Sequence, residues 1–531
     1  MRDAPELTVV IPTRDRWNIL RRTLAALERQ SVRGFGVVVV VDGEDQQPPE
    51  LPGDVEIVRV PQGGPGAARN AGVERVATPL VLFLGDDMIP RPDLVEQHLA
   101  RHARDGGPTV GVLGSVRWHA EVRRTPLLRW IDRDGMQFDY AGITGDDAGW
   151  GRFYSCNVSL PVALLREVGG FDPDFTYYYE DLDLGYRLHR AGLQLRYAPG
   201  AVVEHLHEYD EARFAARLTG IARGEWLMGE KHDWFEPWYA NRFRGADGQG
   251  SSRLARRFGA GDRANHAWRA YFAATYLNAF EAEQEVAELR RYLGDQYDEQ
   301  QLRGHQHVVH HEEEASPDEA TFYRTSRGYL YDLTVFAMSG TKRPYRSILR
   351  RLVGPGSRLL DYGCGIGSDG MRMLAAGYPV DFADFDNPSV EYLRWRLQHR
   401  GLADGGALPP PRIYDVESAN DRAAMSAAGY DVVYCFDVIE HVDDPFAFLA
   451  GLEATANLVA VNFLEPAPDD THLHKLLPIP ELLARCRDHG IVHYSKHYGR
   501  SHFVVYHARR TDPARRLLGH LRYYRAQALS T

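Results

Sequence analysis

Two adjacent carboxylates follow an apolar run that is typical of a buried strand. Asp86 and Asp87 lie in the stretch VLFLGDDMIP, Val81–Pro90. The carboxyl ends of strands in α/β sheets face the crevice where these sheets bind ligands. Neighbouring carboxylates repel each other unless a cation lies beside them, and Mg²⁺ or Mn²⁺ carrying a diphosphate would be such a cation. Alternatively, the pair caps the next helix or forms a turn before Pro90.

Other polar side chains stand at similar points in the N-terminal half. They follow predicted strands or open predicted helices: Pro12, Thr13, Arg14, Asp42, Arg69, Asn70, Glu180, Asp181, Asp183 and His205. Arg69 and Asn70 lie in the glycine-rich segment GGPGAARNAG, and a helix start of this kind suits an anionic ligand. Glu180, Asp181 and Asp183 could instead form an exposed face of the helix that begins there.

These segments, in this order, resemble the family-2 glycosyltransferases of the GT-A fold over about residues 6–238. The resemblance implies that Asp86 and Asp87 occupy the metal-binding motif, with Asp87 the stronger candidate for a metal ligand. Asp181 would be the base, with Glu180 beside it, and His205 would help to hold the metal and the diphosphate. The donor would be bound by the following residues: Pro12, Thr13, Arg14, Asp42, Arg69, Asn70 and Asp86. Many relatives have a third acidic residue where this chain has Gly85.

The chemistry of sugar transfer explains why these residue types occur together. Charge builds on the departing nucleoside diphosphate, and a metal stabilises it as a Lewis acid. The acceptor hydroxyl loses a proton as it attacks, and a carboxylate base typically accelerates this about 10²–10⁴-fold. One base that acts from the opposite face gives inversion. A retaining double displacement needs a second carboxylate as nucleophile, and the sequence does not reveal one.

A second glycine-rich motif opens the C-terminal half. LLDYGCGIGSDG contains a formal G-x-G-x-x-G, Gly365–Gly370, which by itself fits a dinucleotide-binding dehydrogenase weakly. However, Asp361 precedes the glycines, and Gly363, Gly365 and Gly367 alternate in a way that lets the backbone approach a small ligand. With VDFADFDNPS and GYDVVYCFDVIEHVDDP, the region resembles class I S-adenosylmethionine-dependent methyltransferases over about residues 329–509.

This second resemblance implies roles for further residues. Asp361 and the three glycines would hold the methionine part of S-adenosylmethionine. Asp384 would bind the ribose, with Asp386 as a rival, and Asp415 would lie near the adenine. Asp437 would lie at the methyl-donor end of the cofactor, and His441 is the candidate base. Alternatively, a metal site could be formed by Glu440, His441, His472 and His474.

The predicted elements make both halves α/β. Runs such as Leu7–Pro12 and Gly36–Gly43 indicate strands that are covered on both faces. Two extended runs, Ile491–Tyr498 and His502–Arg509, predict a hairpin at the end of the second sheet. We therefore predict a GT-A domain and a Rossmann-like methyltransferase domain. Their boundaries are 1–244 for the glycosyltransferase, 245–320 for a helical and polar linker, 321–510 for the methyltransferase and 511–531 for a basic tail.

Composition narrows the classes of function. The net charge of −11 argues against nucleic-acid binding. Only four of the basic residues are lysines, which we attribute to genome composition. The four cysteines form no C-x-x-C, and neither a secretory leader nor an 18-residue apolar run is present, so we expect a cytoplasmic protein. The histidine tract beside Glu312–Glu314 (His305, His307, His310, His311) is predicted to be solvated linker. The tail could touch an anionic membrane, although a helix docked on its own domain is favoured.

Together these features predict a bifunctional glycan-modifying enzyme. It would transfer a sugar from a nucleotide-diphospho-sugar to a glycan or glycolipid, using Mg²⁺ or Mn²⁺ and inverting the anomeric carbon. It would also transfer a methyl group from S-adenosylmethionine, to the same glycan if the two halves share a substrate. One alternative is a nucleotidyltransferase joined to an NAD-dependent dehydrogenase. Another is a non-catalytic scaffold that retains both folds.

Overall fold

The structure, a computed structural model, describes residues 6–43, 49–52, 54–134, 136–246, 253–467 and 474–528. The chain divides into two compact units, Met1–Phe280 (unit 1) and Glu281–Thr531 (unit 2). Most of the predicted flexible segment Gly245–Ser252 lies outside the described residues, as does His472.

Unit 1 is built on a mixed sheet. Its strands are β1 (Leu7–Thr13), β2 (Gly36–Asp42), β3 (Glu56–Val60), β4 (Leu80–Leu84), β5 (Met88–Pro90), β6 (Val110–Trp118), β7 (Asn157–Pro161) and β8 (Gln194–His205). Within the described residues their order is β3-β2-β1-β4-β7-β6-β8-β5. Strands β1 to β4 pair in parallel, whereas β7 runs antiparallel to both of its neighbours.

Both faces of this sheet are covered, as the β-branched runs predict. Val9 and Ile11 pack with Leu20 of the first helix, whereas Val10 packs with Val73 of the second. The helices of unit 1 are α1 (Trp17–Leu27), α2 (Gly64–Glu74), α3 (Leu94–Asp105), α4 (Pro126–Arg133), α5 (Val162–Glu167), α6 (Glu180–Arg190), α7 (Glu211–Lys231), α8 (Trp238–Arg244), α9 (Arg253–Phe258) and the first part of α10 (Gly261–Leu293).

Unit 2 contains a second sheet that is parallel except at one edge. Its strands are β9 (Leu359–Tyr362), β10 (Val380–Asp384), β11 (Ile413–Asp415), β12 (Tyr430–Cys435), β13 (Ala456–Leu464), β14 (Ile491–His497) and β15 (Ser501–His507). In the described part of the chain the order is β11-β10-β9-β12-β13-β15-β14. The structure confirms the predicted terminal hairpin, because β14 and β15 pair antiparallel and β15 runs antiparallel to β13.

Helices surround this sheet and also form the segment that precedes it. They are α11 (Glu299–Arg303), α12 (His305–Ala315), α13 (Glu319–Thr325), α14 (Tyr329–Ser339), α15 (Arg343–Leu352), α16 (Ser368–Ala375), α17 (Pro388–His399), α18 (Ala419–Ala427), α19 (Pro445–Glu453), α20 (Ile479–His489) and α21 (Pro513–Ala528). The histidine tract is thus a helix, α12, and His305 Nδ1 lies 2.6 Å from the Asp332 carboxylate. His307, His310 and His311 are exposed, whereas Glu312 of this helix accepts hydrogen bonds from Ser326 and Gly328.

The division between the units falls within the long helix α10. Its last turns belong to unit 2, where the buried Arg396 lies 2.9 Å from Glu285 and 2.8 Å from Glu288. No helix among the described residues has the length and apolarity that crossing a bilayer requires.

Candidate active sites

The paired carboxylates of unit 1 lie at the carboxyl edge of the sheet, where β4 ends beside β1. Both side chains are buried. Thr13 Oγ1 donates to Asp86 Oδ2 at 2.8 Å. Arg16, in the loop after β1, contacts Asp86 Oδ1 at 3.0 Å and Asp87 Oδ2 at 2.5 Å. The backbone forms a turn here, with the Met88 N–H donating to the Gly85 carbonyl at 3.2 Å, while β1 and the loop after it supply partners for both carboxylates.

Two histidines at the end of β8 complete a cluster around Asp87. His205 Nε2 lies 3.2 Å from Asp87 Oδ2, and His207 Nδ1 lies 3.3 Å from the same oxygen. The ligand atoms of these three residues lie within 4.8 Å of one another. Imidazole and carboxylate are ligands that suit a divalent transition metal such as Mn²⁺. The donor set therefore fits a metal ion.

His207 was not predicted from the sequence. The spacing His205-x-His207 could have indicated it, because side chains two residues apart in an extended backbone point to the same side. At Gly85, where relatives have a third acidic residue, an added Cβ would lie 3.0 Å from Met88 Cγ and 3.2 Å from Asp87 Oδ1. An acidic side chain would be crowded at this position, and His207 contributes a third ligand from another element.

The two carboxylates differ in their affinity for a proton. Burial, and next the negative charge of Asp87, raise the pKa of Asp86 to about 7. Burial acts in the same direction on Asp87, but His205, His207 and Arg16 together outweigh it and hold the pKa of Asp87 well below its usual range. Asp87 is thus the member of the pair that stays ionised, and this supports its assignment as a metal ligand.

The candidate base lies at the start of α6. Asp181 Oδ2 accepts a hydrogen bond from the Ser155 backbone N–H at 3.0 Å, while Oδ1 has no hydrogen-bond partner among the described residues. Glu180 contacts Arg69 at 3.4 Å. Burial raises the pKa of Asp181, and burial together with the charge of Asp181 raises the pKa of Glu180 to about 7. A raised pKa increases the proton affinity of a carboxylate, which suits general base catalysis.

The alternative of an exposed acidic helix face was wrong. Glu180 and Asp183 are buried, and Asp183 contacts Arg187 at 2.6 Å and His232 at 2.9 Å. Asp183 therefore has a structural role.

Cys156 lies near both carboxylate groups: burial first, and then the charges of Asp181 and Asp87, raise the pKa of its thiol. The charges of the candidate base Asp181 and of the candidate metal ligand Asp87 thus both raise the pKa of the same thiol.

A buried glutamate fixes the entry to α6. Tyr179 precedes this helix with a positive φ of 70°, a strained conformation for a residue with a side chain. Its hydroxyl donates to Glu225 at 2.9 Å, and Glu225 also accepts from the backbone N–H groups of Tyr239 and Ala240, each at 2.9 Å, and from the Tyr276 hydroxyl. These contacts hold the loop that presents Asp181.

The other predicted donor-binding residues lie in or after β1 and β2 and differ in their contacts. Asp42 accepts from the backbone N–H groups of Gly63 at 2.7 Å and Gly64 at 3.2 Å, and so orders the glycine-rich segment. Pro12 lies in β1 next to Thr13, and the half-buried Arg14 follows β1 directly.

Asn70 requires a correction. Its Nδ2 donates to the Phe171 carbonyl and its Oδ1 accepts from the Phe171 N–H, both at 2.8 Å. Asn70 therefore braces the loop after α5 instead of facing a donor.

Unit 2 contains a cavity of about 770 Å³. Ligand pockets typically measure about 300–1,000 Å³. The predicted residues that line it are Gly363, Gly365, Asp384, Asp437 and His441. The cavity lies at the carboxyl ends of β9, β10 and β12, where parallel sheets bind ligands.

The glycine loop forms one wall of this cavity. Gly363, Gly365 and Gly367 have positive φ angles of 70°, 52° and 72°. A Cβ at Gly363 would lie 2.5 Å from the Val438 side chain, and one at Gly367 would collide with Leu393. Gly367 precedes α16 and does not line the cavity. Asp384 accepts from the N–H groups of Gly365 at 2.6 Å and Phe385 at 2.8 Å.

The structure separates the two rival acids after β10. Asp384 lines the cavity, whereas Asp386 is exposed and contacts Arg394 at 2.9 Å. Asp415 requires a correction, because Val416 lines the cavity in its place and Asp415 accepts from the N–H of Glu417 at 3.0 Å. The side chain of a strand residue points to the face opposite to that of its neighbour.

Asp361 also differs from its predicted position. It does not line the cavity, and its Oδ2 accepts from the N–H of Gly370 in α16 at 2.9 Å. Burial raises the pKa of Asp361 to about 8. Asp361 therefore holds the first turn of α16, which directly follows the glycine loop.

Several cationic residues in the cavity wall were missed, among them Lys342 and Arg346. Lys342 Nζ donates to the Phe436 carbonyl at 3.1 Å and lies 3.7 Å from Asp437 and 3.8 Å from Asp369. Arg346 forms an ion pair with Asp369. The residue type of Lys342 could have marked it as a candidate site residue, because lysine is rare in this arginine-rich chain.

Glu440, His441 and His474 form a second cluster whose ligand atoms lie within 4.8 Å of one another. Both carboxylate oxygens of Glu440 are buried without a hydrogen-bond partner among the described residues. His441 Nδ1 lies 3.0 Å from the Tyr323 hydroxyl. His441 can therefore serve either as a base or as a metal ligand.

Comparisons with protein families assign each unit. The model of the family described as glycosyltransferase like family 2 matches residues 5–224, and the model described as methyltransferase domain matches residues 338–530. The chain contains a family-2 glycosyltransferase domain and a methyltransferase domain.

Individual relatives match each domain separately. Validoxylamine A glucosyltransferase of Streptomyces hygroscopicus subsp. jinggangensis is 34% identical over 227 residues, covering 36% of this chain and 53% of that protein. Pre-mycofactocin glycosyltransferase of Mycobacterium tuberculosis is 32% identical over 222 residues, covering 40% and 45%. Ubiquinone biosynthesis O-methyltransferase of Thiobacillus denitrificans is 28% identical over 134 residues, covering 23% and 54%. The chain thus spans about half the length of these curated relatives.

In each domain, some candidate site residues were predicted from the sequence and others are added by the structure. In the glycosyltransferase domain the structure brings together Thr13, Asp86, Asp87 and His205, and it adds Arg16 and His207. In the methyltransferase domain the cavity gathers the glycine loop, Asp384, Asp437 and His441, and it adds Lys342, Arg346 and Asp369. The predicted candidates lie mostly at the ends of strands, whereas the added ones come from helices and loops that lie far away in the sequence.

Proposed function

We propose that the chain is a bifunctional glycan-modifying enzyme. Its glycosyltransferase domain transfers a sugar from a nucleotide-diphospho-sugar to a glycan or glycolipid, and its methyltransferase domain transfers a methyl group from S-adenosylmethionine. For the first activity, the strongest support is the cluster of Asp87, His205 and His207 at the carboxyl edge of the sheet. For the second it is the glycine-walled cavity.

In the glycosyltransferase domain, Asp87, His205 and His207 would hold Mg²⁺ or Mn²⁺. When bound, the metal supplies positive charge opposite the leaving diphosphate. Thr13 and Arg16 orient Asp86 beside it. The names of two relatives support sugar transfer, since one is a glucosyltransferase and the other a glycosyltransferase.

Asp181 is the proposed base for the acceptor hydroxyl. Its Oδ2 is oriented by the Ser155 N–H, and its buried Oδ1 remains to accept the proton. Burial raises the pKa of this carboxylate, which favours its action as a proton acceptor. A single base that acts on an incoming hydroxyl leads to inversion at the sugar.

In the methyltransferase domain, the backbone of the glycine loop and Asp384 orient the cofactor. S-adenosylmethionine supplies the methyl group when bound. Lys342 and Arg346 would bind the carboxylate at the amino-acid end of the cofactor, because they are cationic residues of a wall that also contains Asp369 and Asp437. Positioning carries most of the rate enhancement in such a displacement. His441 would accept the proton if the acceptor is a hydroxyl, as the name of the O-methyltransferase relative suggests.

A divalent metal in the methyltransferase domain is a second hypothesis, which the cluster of Glu440, His441 and His474 supports. Removal of divalent ions with a chelator should then lower methyl transfer without lowering S-adenosylhomocysteine binding, and His474→Ala should remove the response to added Mg²⁺. Unchanged transfer in chelator would leave His441 as a base.

A thermal-shift panel tests the proposed function as a whole. A ligand that binds only the folded state raises the melting temperature. Nucleotide-diphospho-sugars with Mn²⁺ and, separately, S-adenosylhomocysteine should each raise it. NAD(H) serves as the control, because the dehydrogenase alternative requires it to bind. Stabilisation by NAD(H) but not by S-adenosylhomocysteine would overturn the methyltransferase assignment, and binding of both ligands without turnover would favour a scaffold.

A further inference from the structure

The helix α21 docks on its own unit through one narrow face. Gly519 and Tyr523 are buried, and Tyr523 packs against Tyr494 of β14 with ring centroids 4.7 Å apart. A Cβ at Gly519 would lie 2.8 Å from the Ile491 backbone nitrogen, so this glycine permits the close approach of helix and strand. The docked face is therefore defined by small and aromatic residues.

The opposite face of α21 is apolar and exposed. The exposed fractions are 62% for Leu517, 54% for Leu518, 60% for Leu521 and 58% for Tyr524. Leu517, Leu521 and Tyr524 follow the i, i+4, i+7 spacing of one helical stripe. A helix on the surface of a soluble unit normally has polar residues on this side. An exposed apolar stripe of this kind indicates an interaction surface.

Arginines flank the apolar stripe. Between Arg509 and Ala528 the chain contains six arginines and a single acidic residue, Asp512, although the whole protein has a net charge of −11. By helical spacing, Arg522 and Arg525 lie between the docked face and the stripe on one side, and Arg516 lies on the other. Arginines at such a boundary can extend to lipid headgroups while the leucines enter the acyl region.

A basic pocket of about 310 Å³ lies at the start of the same helix. It is lined by His507, Arg509, Arg510 and Arg515, together with Asn457, Thr511 and Asp512. Its charge suits a phosphate group. The pocket and the apolar stripe are thus two features of one segment that match the headgroup and the acyl layer of an anionic lipid.

We propose that α21 attaches the protein to the surface of an anionic lipid bilayer. The helix would lie in the plane of the interface with the leucine stripe inserted, and it would not span the membrane. A second copy of the chain is the less favourable occupant, because packing two of these stripes together would bring like-charged arginines close to one another. This proposal does not depend on either proposed enzymatic activity.

Flotation of the full chain with lipid vesicles tests the proposal. The protein should bind vesicles of equal parts phosphatidylcholine and phosphatidylglycerol and should bind phosphatidylcholine alone much less. Each inserted leucine is expected to contribute about tenfold to the partition constant, so Leu517→Ser/Leu521→Ser should lower it about 100-fold. Arg522→Gln/Arg525→Gln should lower it about fivefold per arginine. Raising the salt to about 0.5 M should also release the protein.

The helix α9 offers a matched control. Leu254 and Phe258 are also exposed, at 70% and 73%, and lie among arginines. Leu254→Ser/Phe258→Ser should bind anionic vesicles like the wild type. Melting temperature and S-adenosylhomocysteine binding check that each variant is folded. Wild-type binding by Leu517→Ser/Leu521→Ser would overturn the proposal, as would a dimer in light scattering that this variant dissociates.

Discussion

The two candidate sites surround their buried carboxylates differently. In unit 1, Asp86 and Asp87 are surrounded by side chains that carry or can carry positive charge, namely Arg16, His205 and His207. In unit 2, Asp361 is buried against the backbone of α16 and its pKa is raised to about 8. Both sites contain ion pairs, but in the second site a glycine loop also forms one wall of a cavity.

This difference follows from the groups that each site is proposed to bind. A diphosphate and a divalent metal are strongly charged, so side chains of both signs must converge to hold them. The uncharged adenosine part of S-adenosylmethionine can instead be held by backbone N–H groups and a cavity of suitable shape. We therefore expect charge substitutions to dominate in unit 1 and the loss of single hydrogen bonds to dominate in unit 2.

The largest effect should come from the base of unit 1. Asp181→Asn preserves the shape of the side chain but removes its ability to accept a proton, so kcat for sugar transfer should fall about 10²–10⁴-fold. The KM for the donor should change little. Asp174→Asn is the control, because Asp174 is an exposed residue that contacts Lys231. Equal activity in both variants would show that Asp181 is not the base.

The next effect concerns the two acids after β10. Asp384→Asn places an amide where two backbone N–H groups need acceptors, and the loss of a charged hydrogen bond costs about 1.5–3 kcal/mol. We expect calorimetry to show about 10–100-fold weaker binding of S-adenosylhomocysteine. Asp386→Asn, two residues away and exposed, should bind normally. The reverse result would assign the ribose contact to Asp386.

A smaller effect should follow from Arg16→Met. This change leaves Asp86 and Asp87 without their guanidinium partner, and we expect the free energy of unfolding to fall by about 2 kcal/mol in metal-free solution. Added Mn²⁺ should restore more stability to this variant than to the wild type. Arg22→Met removes an exposed pair with Glu121 and should cost under about 1 kcal/mol. No difference between the two variants would contradict the idea of a balanced charge cluster.

The smallest effect is a pH dependence in unit 2. Because the pKa of Asp361 is about 8 in the folded state and about 4 when unfolded, the folded state binds the extra proton between these values. Stability must therefore fall as the pH rises through this window. Asp361→Asn removes this titration. Its melting temperature relative to the wild type should therefore rise between pH 5 and 8. A constant difference would show that Asp361 is ionised throughout.

Much of the fold was predictable from local patterns. The β-branched runs predicted strands that are covered on both faces, and the spacing of Ile491–Tyr498 and His502–Arg509 predicted the hairpin. Site residues that directly follow strands, such as Asp87 and Asp384, were also found. Arg16, His207 and Lys342 were missed because each reaches its partners across a distance in sequence, and no local periodicity records such contacts.

By itself, the sequence determined which elements form and which polar groups stand at their ends, because apolar periodicity and glycine placement are local properties of a chain. Only the tertiary structure decided which of those groups face a ligand. It turned Asn70, Asp361 and Asp415 toward the protein's own backbone, and it left the leucines of α21 exposed. The orientation of a side chain depends on the partners that folding brings near it, and these partners come from distant parts of the sequence.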